Sequence, residues 1–384
     1  MAAEDYTKEP AAGILRRIRE KGPVTFAEYM GLALYGEGGY YASGAGPWGA
    51  SGDYITSLDV SPVFARMLAK QVFEMWGLLG EPGTFHLIEA GAGRGWLGRG
   101  ILDDARSSYP GFYEALKVTL VEKNPNLRAA PEPEEGVVWR GDITEAGGGV
   151  TGCILSNELI DSFPVHRVVM EGGELKELYT GFEEGAGFVD IQGRPSTPEL
   201  AGYLERAGVT LAEGQRAEVN LDAGRWMASA GSVIERGFVI TIDYGLPARE
   251  LYSPSTRGGT LHCHYRHTLN DNPYINIGSQ DITTHVDFTS LVSSGRSSGL
   301  ELTGFATQKN FLLGLGICEE LEEAEGFGER EYGKVGRNRE LARLISPGGM
   351  GDTFKVLIQH KGVEKPRLSG FSFRDQSRFL QAGS

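Results

Sequence analysis

A chain of 384 residues with 40% hydrophobic and 23% charged side chains has the makeup of an ordinary globular protein with room for a large core. Its formal net charge of −14 excludes a basic face for nucleic-acid phosphates, and no apolar run reaches the ~18 residues that would span a bilayer. Three scattered cysteines (Cys153, Cys263, Cys318) exclude a disulfide framework and fit a reducing compartment; with no apolar targeting core in MAAEDYTKEP, a cytoplasmic protein is expected.

Taken from the N-terminus, residues 9–21 and 25–35 have the pattern of two short helices. The second is opened by the capping box Thr25-x-x-Glu28 after Gly22-Pro23. A glycine- and aromatic-rich loop, residues 36–57, leads to an amphipathic helix over 61–79, and Gly80-Glu81-Pro82-Gly83 ends this region. Strands and helices then alternate: strand FHLIEA (85–90), helix 96–107, strand KVTLVEK (117–123), a short helix over 125–130, strand GVVWRGD (136–142) and strand GCILSNE (152–158). That alternation predicts an α/β fold built on a Rossmann-like, doubly wound parallel sheet.

Residues 163–180 predict a hairpin about Gly172-Gly173, and helical patterns near 197–207 and 221–235 precede another buried strand, GFVITIDYG (237–245). Loop-rich sequence fills 246–286. Helix 287–298, strand 300–307, helices between 308 and 345 and strand FKVLIQH (354–360) close the fold. The expected organisation is an N-terminal helical and loop region (1–80) that closes over the site, a core of 81–162 and 236–362, an inserted substrate lobe (163–235) and a C-terminal tail (363–384).

The segment FHLIEAGAGRGWLGRG permits two nucleotides. Gly93, Gly95 and Gly98 spell the dinucleotide fingerprint G-x-G-x-x-G, while Glu89 to Gly95 spell E-x-G-x-G-x-G, typical of S-adenosylmethionine sites. Charge separates them. A pyrophosphate at the turn would be repelled by Glu89, whereas a sulfonium and an ammonium would gain roughly 1–4 kcal/mol from a carboxylate about 4 Å away. Gly91, Gly93 and Gly95 then serve close backbone approach. Glu122, at the end of the next strand, can accept from both ribose hydroxyls, and Asp142, with its neighbour Ile143, follows the third strand where an acid can accept the adenine amine. These strand ends favour S-adenosyl-L-methionine as cofactor.

The fourth strand end reads Ser156-Asn157-Glu158-Leu159-Ile160-Asp161. Glu158 and Asp161, three residues apart, would share one side of a helical turn and clamp a guanidinium. Methyl transfer chiefly requires alignment of nucleophile and methyl carbon, so Glu158, Asp161 and Asn157 are the catalytic candidates, Asn157 also touching cofactor. HCHYRH (262–267) lacks a second pair of ligands at zinc spacing, so no metal is expected.

SNELIDSFPVHRV resembles the NE-x-x-D-x-x-P motif of the MidA-type S-adenosylmethionine-dependent methyltransferases. GGYY (38–41), SGDYITSLDVSPVF, LVEKNPNLR, IDYG, GTLHCHYRH, DITTHVDF and TQKNFLLGLGI agree with that family in order along nearly the whole chain. The resemblance implies a seven-stranded methyltransferase sheet with an added lobe, and kinship with a mitochondrial arginine methyltransferase that assembles respiratory complex I. It implies a site lined by Asp53, Tyr54, Thr56 and Asp59, with His285 a packed loop histidine first and a substrate contact second. The expected function is protein arginine N-methylation, with a protein substrate such as a respiratory-complex subunit, no nucleic-acid partner, no membrane insertion and a homodimer as one assembly. A small-molecule N- or O-methyltransferase, or a non-catalytic assembly factor that keeps the cofactor fold, are the alternatives.

Overall fold

The computed structural model describes residues 6–42, 62–128, 135–321 and 329–380. In the eight-stranded central sheet the two-residue strand Val286–Asp287, parallel to Gly245–Leu246, joins seven longer strands: β1 (Phe85–Ala90), β2 (Leu116–Val121), β3 (Val137–Arg140), β4 (Val150–Asn157), β5 (Ile234–Leu246), β6 (Glu301–Thr307) and β7 (Phe354–Lys361). Their spatial order is β3-β2-β1-β4-β5-β7-β6. The first five run parallel, and β7 is antiparallel to both β5 and β6. This is the expected Rossmann-like methyltransferase sheet.

Both faces of the sheet are covered, so its strands read as apolar runs whose alternate residues enter different cores. Phe85 and Leu87 of β1, Val118 and Leu120 of β2, and Cys153 and Leu155 of β4 point into one core; Ile88, Val121 and Ile154 point into the other. The first core is covered by α3 (Val63–Leu78) and α4 (Trp96–Ser108), through Phe64, Leu68, Leu97 and Ile101. The second is covered by α5 (Leu221–Val233), through Ala223, Met227 and Ala230. Burying each large apolar side chain is worth about 1.5–3 kcal/mol.

The two N-terminal helices, α1 (Ala11–Lys21) and α2 (Phe26–Tyr35), form where the sequence pattern puts them. Thr25 caps the second, its hydroxyl accepting the Glu28 N–H at 3.1 Å, a cap worth about 1 kcal/mol. Just before that cap, Val24 and Thr25 pair with Thr180 and Tyr179, so the N-terminal region supplies an edge to an antiparallel sheet made by 166–171, 174–183, 187–193 and 216–219. A two-residue strand has no period to read, and the sequence gives no sign of it. The segment 246–286 contains a small sheet of His262–Tyr265, Thr268–Asn270 and Asp281–Thr283.

Two local expectations fail. Residues 125–128 form a turn instead of a helix, and the segment after Asn157 is also a turn, because Glu158 takes φ 52°. Among the described residues no helix is long and apolar enough to cross a membrane.

Candidate functional site

Beyond the carboxyl ends of β1 to β4 lies a cavity of ≈ 950 Å³, where open α/β sheets bind ligands. Its first wall is the glycine turn. Gly91, Gly93 and Gly95 have φ of 68°, 51° and 72°, a region that L side chains seldom enter. The turn lets Ala92 N–H reach the Val121 carbonyl at 3.0 Å and Gly93 N–H reach Glu122 Oε2 at 3.0 Å. Gly95 caps α4 and does not itself line the cavity; a Cβ there would lie 2.5 Å from Leu120 Cδ1. Gly95→Ala is therefore expected to lower the stability of the protein by about 1–3 kcal/mol, read as a lower urea midpoint; an unchanged midpoint would show that the turn relaxes freely.

Gly98 has a different use. Its N–H donates to Glu89 Oε2 at 2.8 Å, and the carboxylate fits only because no Cβ stands there, 2.8 Å away. Glu89 is 5% exposed yet lines the cavity. Burial pushes its carboxyl up to about 8, against the lowering pull of the Gly98 amide, and the nearby Glu122 adds to the rise. In the empty protein the group is thus largely protonated near neutrality, and a cation seated beside it must displace the proton. Affinity for S-adenosylmethionine is expected to rise with pH up to about 8 and then level off, with proton release on binding near pH 7. Calorimetry in buffers of different ionisation enthalpy measures that proton; the same proton count in Glu89→Gln would refute its origin.

Glu122 accepts from Gly93 through Oε2 and from Asn124 N–H through Oε1 at 2.8 Å, which fixes the carboxylate at the cavity wall. Asp142 caps the short turn Ile143–Ala146: its Oδ1 accepts from the Thr144 hydroxyl at 2.6 Å and the Thr144 N–H at 2.9 Å, which hold its carboxyl below the usual range. Ile143 is buried and lines the same wall, as do Asn157 and Glu158. Asn157 Nδ2 donates to Glu158 Oε1 at 3.2 Å. Glu89, Gly91, Gly93, Glu122, Asp142, Ile143, Asn157 and Glu158 therefore surround one space.

Asp161 departs from the expectation. It does not share a helical face with Glu158, because φ 52° at Glu158 turns the chain, and it does not line the cavity. Its side chain is buried and takes a hydrogen bond from the Tyr244 hydroxyl; burial pushes its carboxyl up to about 6. His285 does not line the cavity either. Its ring lies edge-on to Tyr244, with centroids 5.6 Å apart, and burial followed by the nearby His262 pushes it down to about 4. Asp53, Tyr54, Thr56 and Asp59 lie outside the described residues.

The cavity has walls that sequence reasoning did not assign. Tyr35 and Tyr41 stack with centroids 5.4 Å apart and 16° between planes. Tyr35 donates to the Ser162 carbonyl and hydroxyl, both at 3.0 Å, and Asn124 Nδ2 donates to the Tyr41 carbonyl at 2.5 Å. Trp226 of α5 lines the cavity as well. The quoted GGYY was a signal for Tyr41; nothing local marked Tyr35 or Trp226. The ionic balance of the walls is acidic: Glu89, Glu122, Asp142, Glu158 and Asp222 against Arg94, Lys123 and Arg225, the last paired with Asp222 at 2.5 Å. Glycines that admit a close ligand and a buried carboxylate that needs a cation fit S-adenosylmethionine and oppose a pyrophosphate.

Comparison with known proteins agrees. Residues 67–306 match the family model of S-adenosyl-L-methionine-dependent methyltransferases, Methyltransf_28. A COG1565 superfamily member from Burkholderia thailandensis, solved bound to S-adenosyl-homocysteine, is 30% identical with a TM-score of 0.85, covering 96% of this chain and 95% of that one. The mitochondrial protein arginine methyltransferase NDUFAF7 homolog of Drosophila melanogaster is 27% identical over 93% of this chain and 87% of its own length. The human NDUFAF7 is 26% identical over 98% of this chain and 89% of its own. These curated relatives are mitochondrial, which overturns the expectation of a cytoplasmic protein. The chain belongs to this methyltransferase family, is an enzyme of that class, and uses S-adenosyl-L-methionine.

Proposed function

From that membership we propose that the methyl group goes to a guanidino nitrogen of an arginine side chain in a protein. The observation that carries the reading is Glu158: a carboxylate on the wall of an acid-rich cavity, one residue beyond β4. The relatives named above as protein arginine methyltransferases support it. In this reading the central sheet and the helices that cover it, α3, α4 and α5, hold the cofactor, while the N-terminal helices and the antiparallel sheet of 166–219 present the acceptor. A respiratory-complex subunit is the acceptor class to test first.

When bound, S-adenosylmethionine supplies an electrophilic methyl on a positive sulfur. Glu89, Glu122 and Asp142 hold the ligand by its cationic, ribose and adenine parts in turn. Glu158 accepts N–H bonds from the guanidinium and so localises lone-pair density on the attacking nitrogen. With that group bound, Glu158 would be placed to take the proton that the guanidino nitrogen sheds on methylation.

Incubation of the protein with labelled methyl donor and a lysate of its host, followed by mass spectrometry, tests the reading. Methylarginine in a protein is the expected product. A labelled metabolite would replace it with small-molecule methylation, and no label despite bound cofactor would favour an assembly role. Light scattering on the same preparation reads the homodimer.

A further inference from the structure

We propose that Asp243, a residue that does not line the cavity, is a positioning residue for methyl transfer: it locks the turn after β4 so that Glu158 faces the acceptor. The inference rests on the proposed role of Glu158. Asp243 sits on β5 with no exposed surface. Up to Asn157, β4 pairs with β5 in parallel, ending at Ile242, and the Glu158 N–H still reaches the Ile242 carbonyl at 3.0 Å. There the ladder stops, and the next amides turn to a side chain. Asp243 Oδ2 accepts from Ile160 N–H at 2.9 Å and from Asp161 N–H at 3.4 Å, while Oδ1 accepts from the Tyr244 N–H at 2.9 Å.

The carbonyls of the same turn are held by other elements. Asn220 Nδ2 donates to the Ile160 carbonyl at 3.2 Å, and Thr284 N–H donates to that of Asp161 at 2.9 Å. Asp243 is thus the acceptor for two successive amides of the turn, those of Ile160 and Asp161, just after the chain bends at Glu158. That bend is the φ of 52° at Glu158, which an L side chain adopts only where its surroundings impose it. Both oxygens of Asp243 face N–H donors, so an amide of the same shape must set its own NH₂ against one of them. Asp243→Asn accordingly loosens the turn while it leaves β1, the glycine turn and Glu122 intact.

The test is a double-mutant cycle on the full chain. Its readouts are the initial rate of label transfer from S-adenosylmethionine into host-lysate protein and the calorimetric Kd for S-adenosyl-homocysteine. Asp243→Asn should cut the rate on the order of 10²-fold, the scale of a 1 Å misplacement, with Kd held within about twofold. A residue that acts through Glu158 adds nothing once Glu158 is gone, so the double variant with Glu158→Gln should be no slower than Glu158→Gln alone. Effects that multiply would mark a merely structural residue and overturn the inference, as would a wild-type rate in Asp243→Asn. Were Asp243→Asn to lose cofactor binding through misfolding, Asp243→Glu keeps the carboxyl group but displaces both oxygens and enters the same cycle. A full rate in Glu158→Gln overturns the reading of Glu158 together with this inference; a slow Glu158→Gln beside a fast Asp243→Asn overturns this inference alone.

Discussion

Glu158→Gln is expected to lower the rate of methyl transfer by about 10²–10³-fold while leaving the Kd for S-adenosyl-homocysteine within about twofold. The substitution keeps the volume of the side chain and an amide oxygen for Asn157 Nδ2, which now donates to Glu158 Oε1 at 3.2 Å. What it removes is the charge. A cationic acceptor loses a charge-assisted bond on the order of 1.5–3 kcal/mol and the group that receives its proton. The cofactor should lose nothing, because the carboxylates proposed to hold it stand on β1, after β2 and after β3. Label transfer and calorimetry on one preparation separate the two quantities, and full turnover in the variant would remove Glu158 from the reaction.

Glu89→Gln is expected to act in the opposite way, weakening the binding of S-adenosylmethionine by roughly 30–150-fold, about 2–3 kcal/mol. The buried oxygen of Glu89 already accepts the Gly98 N–H at 2.8 Å. A glutamine must keep its carbonyl there or orphan that amide at the start of α4. Its NH₂ then points at the sulfonium and ammonium, where a carboxylate stood. The protein itself should not be weakened, since the variant replaces a group whose charged form burial disfavours. An unchanged or higher melting temperature with lost affinity is the expected pair of results. Equal affinity for wild type and variant would mean that the cation sits elsewhere.

Much of this site was legible because strand ends announce themselves. FHLIEA, LKVTLV, VVWR and VTGCILSN are apolar or β-rich runs, each followed by a glycine, an acid or an asparagine, and parallel pairing in register brings those ends to one edge. What lay beyond local pattern was missed. Spacing put Glu158 and Asp161 on one helical face, but spacing carries no information about a single positive φ. Asp243 was read as part of a buried strand, where an acid is otherwise costly; that cost was itself the clue. Tyr35 reaches the site through Ser162, more than a hundred residues away, and no period encodes such a contact. The cellular address was misjudged for a plainer reason: three scattered cysteines report reducing conditions, which are not unique to one compartment.

The position of β7 between β5 and β6 has a consequence for synthesis. Every described residue that lines the cavity precedes position 230, yet the outer edge of β5 from Gly237 to Tyr244 has no partner until residues 354–361 leave the ribosome and pair from Gly237↔Lys361 to Tyr244↔Phe354. Until then a nascent chain offers a bare, strongly apolar strand edge to any neighbour. Truncations near the C-terminus should thus behave as aggregation lesions that chaperones must shield, even though they spare every described residue on the cavity wall.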